Sequence, residues 1–142
     1  MRVSKRTLTL YALGLVALAG TGLGAVLAQQ PTPPSKVTAL MKQAIAEFPG
    51  HEVMMITLDI PPGGASPAHR HPGHHTFGYV LEGAYKIKID DGPEMVLHKG
   101  ETFYEAPGQL HAVSRNASDT EPAKVLALML AESGKPLTVP EK

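Results

Sequence analysis

The chain contains no cysteine and no tryptophan, and its aromatic rings are confined to three phenylalanines, four tyrosines and seven histidines in 142 residues. Without thiols it can form no disulfide and offers no thiolate ligand, which excludes iron–sulfur and electron-transfer copper centres. Charge of neither sign is in excess, with 13 basic and 13 acidic side chains. That balance argues against nucleic acid or an anionic lipid surface as a partner. The length supports one modest domain, and no internal repeat divides it.

Long apolar runs are also missing, with one exception. The opening "MRVSKRTLTLYALGLVALAGTGLGAVLAQQ" has a basic start (Arg2, Lys5, Arg6), an acid-free run from about Leu8 and small residues before Gln29. The run could just span a bilayer, but Gly14, Gly20, Gly22, Gly24 and the ending "AVLA" read as a signal peptide over residues 1–28, cleaved after Ala28. The expected location is secreted or periplasmic, with no membrane partner after cleavage. An oxidising compartment permits disulfides without requiring them.

Residues 29–35, "QQPTPPS", form a Pro-rich linker, and a single domain follows over 36–142. From Ser35 as N-cap, apolar residues at Val37, Leu40, Met41, Ala44, Ile45 and Phe48 have helical spacing, and Pro49-Gly50 would stop the helix. One short N-terminal helix is therefore expected. Beyond Gly50 the segments "EVMMITLDI", "TFGYVLEG", "AYKIKID", "EMVLHKG", "ETFYEA", "HAVSRN" and "AKVLALML" read as strands between turn signals, an all-β antiparallel sandwich or barrel. In "AYKIKID" Tyr85, Ile87 and Ile89 share the buried face, and Asp91-Gly92 marks a hairpin. "AKVLALML" needs burial on both faces, so the barrel can pair with a second copy as a homodimer.

Histidines are concentrated in "PAHRHPGHHTFGYVLEG", where His69, His71, His74 and His75 fall within seven positions. Residues two apart on a strand share a face, so His69 and His71 present two imidazoles together while Arg70 turns away. Two imidazoles under-fill a metal's coordination sphere, and the further ligand must come from another element. The candidates are His74, His75, His98 and His111. His111, opening a strand after Pro107-Gly108, is the strongest. His51 and His98 sit beside turn signals and read as solvated.

The stretches "GGASPAHRHPGHHTFGYVLEG" and "GETFYEAPGQLHAVSRN" resemble the two motifs of the cupin superfamily. Gly63, His69, His71 and Gly83 fit the first motif (63–83), and Gly100, Gly108 and His111 fit the second (100–116). The resemblance implies a double-stranded β-helix, a small antiparallel barrel with a metal near one mouth. It also implies a glutamate ligand, but counting back from Gly83 puts Thr76 in that slot, and no carboxylate lies between His71 and Glu82. Ala106 replaces the motif's proline, and Asn116 stands one place beyond its expected position. The third ligand is then His75, next to the slot and preferred, or His74; otherwise His69, His71 and His111 stand alone, completed by water or substrate.

An all-histidine set suits one divalent transition metal ion, Fe, Mn, Ni, Cu or Zn. Losing the glutamate would raise the charge of the centre by one and favour an anionic ligand. The leading expectation is a dioxygenase or isomerase acting on a small organic molecule coordinated to the metal. A non-catalytic periplasmic module that binds or senses a small molecule is the alternative. Phe77, Tyr79, Tyr104 and Met54 or Met55 could line the pocket or simply pack the core. Glu101 and Glu105, at strand ends, read as exposed, so no catalytic acid or base is assigned.

Overall fold

The structure is a computed structural model that describes residues 32–142. The expected signal peptide and the start of the linker lie outside the described residues. Eleven strands follow one another: β1 (Lys36–Ala44), β2 (His51–Ile60), β3 (Ala65–Ser66), β4 (His69–Arg70), β5 (His74–Glu82), β6 (Ala84–Ile89), β7 (Met95–His98), β8 (Thr102–Glu105), β9 (Leu110–Asn116), β10 (Ala123–Glu132) and β11 (Val139–Pro140). They form two antiparallel sheets, one ordered β1-β2-β10-β5-β8, the other β11-β4-β9-β6-β7 with β3 also on β9. Among the described residues there is no helix.

The expected N-terminal helix is corrected to strand β1. Its backbone pairs with β2 from Lys36↔Asp59 to Ala44↔Glu52, with a bulge between Ala39 and Met41. An isolated helix of two or three turns gains little in water, whereas β2 offers a full edge of donors and acceptors. The bulge shifts the alternation of side chains by one residue. Leu40 and Met41, which a helix would have buried beside Val37, are exposed. Pro49-Gly50 does end an element, but that element is a hairpin arm. Phe48 N–H donates to the Ile45 carbonyl, and Gly50 takes a positive φ of 81°.

The strands expected after Gly50 are all present, within a residue or two at their ends. Tyr85 and Ile87 face inward and are buried, as alternation in β6 required. At Gly83 the chain passes from the first sheet to the second, with φ of 70°. A Cβ there would stand 2.4 Å from the Pro122 carbonyl oxygen, so glycine is required twice over.

Between the sheets, Ile60, Val80, Tyr85, Ile87, Ala123 and Val125 close one end of the barrel. Ile56, Ala127 and Met129 form a smaller cluster toward the other. The inward residues of β5 in that half are His74, Thr76 and Gly78, and β10 contributes Ala127 and Ala131. Small side chains leave the barrel open at this end.

Candidate metal centre

His69 and His111 are direct partners in the β4–β9 pair, and His71 follows one residue beyond β4. Pairing thus brings together the strand pair and the histidine some forty residues away that the sequence pointed to. The ring centroid of His69 lies 4.9 Å from that of His71 and 4.9 Å from that of His111. One nitrogen of each ring lies within 4.8 Å of one nitrogen of the other two, so the three could hold a metal ion. Two of the rings have their tautomer fixed, because only an N–H can face a carbonyl. His69 Nδ1 donates to Pro67 O at 2.8 Å and His71 Nδ1 donates to Leu137 O at 2.5 Å. Both therefore keep Nε2 as a free lone pair, which is how a ligand histidine is oriented. Burial, the largest influence, pushes both imidazoles below their ordinary value of 6.5 and keeps them neutral, the form that binds metal.

The carboxylate missing from the first motif is present in space. Glu105 is expected to be exposed from its place at a strand end, yet it is 1% exposed and faces inward. Its Cα is paired with that of Thr76 across β5 and β8, so a glutamate stands opposite the slot where the motif lacks one. Glu105 Oε1 lies 3.2 Å from His111 Nδ1, and Oε2 lies 3.9 Å from His71 Nε2. The 3.2 Å approach lacks hydrogen-bond geometry, and Glu105 Oε2, His111 Nδ1 and Thr76 Oγ1 are all buried without a hydrogen-bond partner. On its other side His111 Nε2 is 3.4 Å from the Tyr85 hydroxyl, which also meets Ser114 Oγ at 2.7 Å. The second glutamate considered, Glu101, is exposed as expected and accepts from the His98 backbone N–H.

The structure does not bring His75 into this group. Inward and outward residues alternate along β5, and His74 and Thr76 take the inner face. His75 lies on the outer face, where Nδ1 meets the Tyr104 hydroxyl at 2.7 Å. Rotating the ring cannot carry it through the sheet, so His75 does not reach the three-histidine group as a third ligand. His74 is fully buried but its Nε2 donates to Pro136 O at 2.9 Å, and it stands apart from the three-histidine group. Phe77, Tyr79 and Tyr104 likewise point outward and are exposed. The aromatic side chains that reach the cavity are Phe103 and Tyr85.

The three histidines and Glu105 line one wall of a cavity of about 300 Å³. Ile56, Leu58, Phe103, Val125, Met129 and Leu137 make much of the remainder, and among the described residues no Lys or Arg lines it. The segment after β10 crosses its mouth as a strap. The strap is held by the His71 and His74 bonds to successive carbonyls, by β11 pairing with β4, and by Arg70 gripping Glu141 at 2.8 and 3.2 Å. Arg70 therefore faces away from the cavity, as its position between the two histidines predicts.

Neutral imidazoles with directed lone pairs, set around buried polar atoms that lack partners, fit a divalent transition metal. Among known proteins, oxalate oxidases resemble the chain over part of their length. Oxalate oxidase GF-2.8 of Triticum aestivum is 30% identical over 100 residues, covering 63% of this chain and 44% of its own length. Oxalate oxidase 1 of Hordeum vulgare is 31% identical over 84 residues, covering 52% and 42%. The chain thus spans less than half the length of these curated relatives. A recombinant oxalate oxidase solved in complex with glycolate superposes with a TM-score of 0.58 at 28% identity, covering 75% of this chain and 54% of that one. A double-stranded β-helix protein of Klebsiella pneumoniae gives 0.62 at 16% identity over 80% and 90%, a likeness of fold alone. A family model described as "Cupin domain" matches residues 56–129, just over half of the chain, and the chain belongs to the cupin family.

Proposed function

We propose that this protein is an exported cupin that binds one divalent transition metal ion and acts as an oxidoreductase or isomerase on a small organic molecule. The observation that carries this reading is the convergence of His69, His71 and His111 on the wall of a cavity of about 300 Å³. When bound, the metal would supply Lewis acidity and, for a redox-active ion, a path for electrons to dioxygen. The chain's own residues would position the substrate. Ile56, Leu58, Val125 and Met129 offer an apolar surface that excludes water from the body of a ligand. Burial raises the Tyr85 hydroxyl well above its ordinary pKa, so it stays protonated and available as a donor.

The relatives are named for oxalate, and one was solved with glycolate, so small carboxylic acids are the first class to test. The lining of this cavity supports a substrate of low charge, such as a phenolate, an enolate or a monocarboxylate with an apolar body. Among the described residues no Lys or Arg is there to meet a second negative charge.

Metal analysis of the purified protein should give about one ion per chain, lost in His69→Ala and His111→Ala. Metal content unchanged in both variants would dismiss the site. Reconstitution with each first-row ion should then yield oxygen uptake or isomerisation on a panel of oxalate, glycolate, phenolic and keto acids. Saturable ligand binding without turnover would favour the non-catalytic binding module instead. One feature supports that second reading: among the described residues the only carboxylate lining the cavity, Glu105, faces the imidazoles rather than open space. Export rests on the basic and then apolar segment before Gln29. Mature protein beginning near Gln29 is expected, and a membrane-held chain that keeps residues 1–28 would overturn export. Pairing with a second copy is supported by the outward apolar row of Leu126, Leu128 and Leu130 on β10, and sedimentation as a dimer that Leu128→Lys dissociates would test it.

A further inference from the structure

No sequence motif accounts for Glu105. Three observations converge on it. It is 1% exposed on the inner face of β8, and its Oε2 has no hydrogen-bond partner. A bare buried carboxylate is among the costliest groups a fold can carry, so something of opposite charge must meet it. Its Cα is the register partner of Thr76, the position from which the family pattern would deliver a carboxylate. Finally, its two oxygens stand 3.2 Å and 3.9 Å from the nitrogens of His111 and His71 without bonding either. Donor atoms about 2.1 Å from one ion, at angles of roughly 100 to 135°, are separated by about 3.2 to 3.9 Å. Glu105 thus stands at co-ligand spacing from His111 and His71, while the ligand atoms that all lie within 4.8 Å of one another belong to the three histidines.

We propose that Glu105 supplies the carboxylate ligand of the metal centre from the strand opposite the vacated slot, so that the site is three histidines and one glutamate rather than all histidine. The ligand has moved across a strand pair instead of being lost. The charge of the centre is then one unit lower than the first motif alone implies, which favours a hard ion such as Mn²⁺ and disfavours a dianionic ligand. The inference rests on the metal-binding reading above and deepens it.

The test compares two ions of different hardness, Mn²⁺ and Zn²⁺, titrated calorimetrically into metal-free full-length mature protein. Glu105→Gln should weaken Mn²⁺ binding on the order of 100-fold while Zn²⁺, content with imidazoles, changes by less than about tenfold. Moving the carboxylate back, in Thr76→Glu with Glu105→Thr, should restore Mn²⁺ affinity to within about tenfold of the native chain. Equal losses for both ions in Glu105→Gln, or no loss, would overturn the assignment and leave Glu105 as a residue that only orients His111. If Glu105→Gln does not fold by circular dichroism, Glu105→His carries the same comparison, because it keeps a neutral ligand and should lose Mn²⁺ selectively. Failure of the native chain to bind either ion would overturn the metal-binding reading as well. Native binding with an unchanged Mn²⁺-to-Zn²⁺ ratio in the variants overturns this inference alone.

Discussion

Replacing Gly78 by alanine probes how the first sheet sets the shape of the cavity. A Cβ at this inward position of β5 would stand 2.0 Å and 2.1 Å from two ring carbons of Phe103, its direct partner on β8. Carbon atoms pack at about 3.5 to 4.0 Å, so the ring must retreat by roughly 1.5 Å or more. It cannot do so freely, because Tyr85 lies 5.6 Å away between centroids and His111 6.2 Å away. Overpacking of this kind costs about 1 to 3 kcal/mol, and a rigid ring held on several sides belongs in the upper half of that range. For a domain near 100 residues, about 2 to 3 kcal/mol lowers Tm by roughly 10 to 20 °C. Phe103→Leu alone should cost about 1 kcal/mol through lost burial, but in the Gly78→Ala background it gives the new methyl somewhere to sit. The double variant should therefore be more stable than the sum of the single effects by at least about 1 kcal/mol in urea titrations. Strict additivity, or a neutral Gly78→Ala, would show that the ring is not wedged against the glycine. Because the displaced ring moves toward His111, metal affinity should fall in Gly78→Ala and recover in the double variant.

Other consequences are open to measurement. Asn116 is fully buried, its Nδ2 donates toward the carbonyls of Ile60, Pro61 and Glu121, and its Oδ1 accepts from Ser118 N–H. Asn116→Ala should cost about 2 to 4 kcal/mol in denaturant while leaving metal affinity unchanged, since these bonds tie loops far from the histidines; a loss below about 0.5 kcal/mol would contradict this role. His69 and His71 have folded pKa values held below their unfolded value of 6.5, chiefly by burial. The unfolded chain therefore binds more protons, so the stability of the metal-free protein is fully present above pH 6.5 and is lost as pH falls toward the lowered values. Calorimetric Tm of metal-free protein should drop between pH 7.5 and 5, less steeply in His71→Gln, and equal slopes in the two would count against the assignment. Glu141→Ala removes the grip of Arg70 on the strap but is a surface pair, so Tm should move by only a few degrees. Exchange of the Glu141 amide hydrogen, bonded to Ala68 O, should nonetheless quicken severalfold, and unchanged protection would show that the strap is held elsewhere.

Much of the barrel could be read from the chain because its turns are chemically explicit. Turn signals at Pro61-Pro62-Gly63-Gly64, Gly83, Asp90-Asp91-Gly92, Gly100 and Pro107-Gly108 separate the segments that read as strands, and each of those segments contains a strand. Lys36–Ala44 reads as a helix because its apolar spacing suits one, while the open edge of β2 that makes it a strand lies outside the segment. The strands β3, β4 and β11 are two residues each, too short for any alternation to register. The histidine triad was legible because His-x-His is a period-two signal and His111 follows an identifiable turn. The ligand count around Thr76 was not, because it ran along one strand while Glu105 arrives from the next.

The side chains of β5 and β8 explain why the inner wall was the hardest part to foresee. On β5 the inward set is His74, Thr76, Gly78 and Val80, and the outward set is His75, Phe77 and Tyr79. On β8 Phe103 and Glu105 point in while Thr102 and Tyr104 point out. The ordinary rule turns the more apolar set toward the core, and here it would turn β5 inside out. In β8 the two faces are so alike in hydropathy that the rule chooses neither. The parity is fixed instead by long-range pairing: Val80 and Val125 share the sealed end of the core, and the uninterrupted period of two then carries His74 and Thr76 inward at the open end. An inverted pattern on a strand whose neighbours obey the rule is therefore informative in itself. It marks a strand whose inner face serves a polar site, and it points to the adjoining strand, two residues from the nearest inward aromatic, as the place to look for a missing ligand.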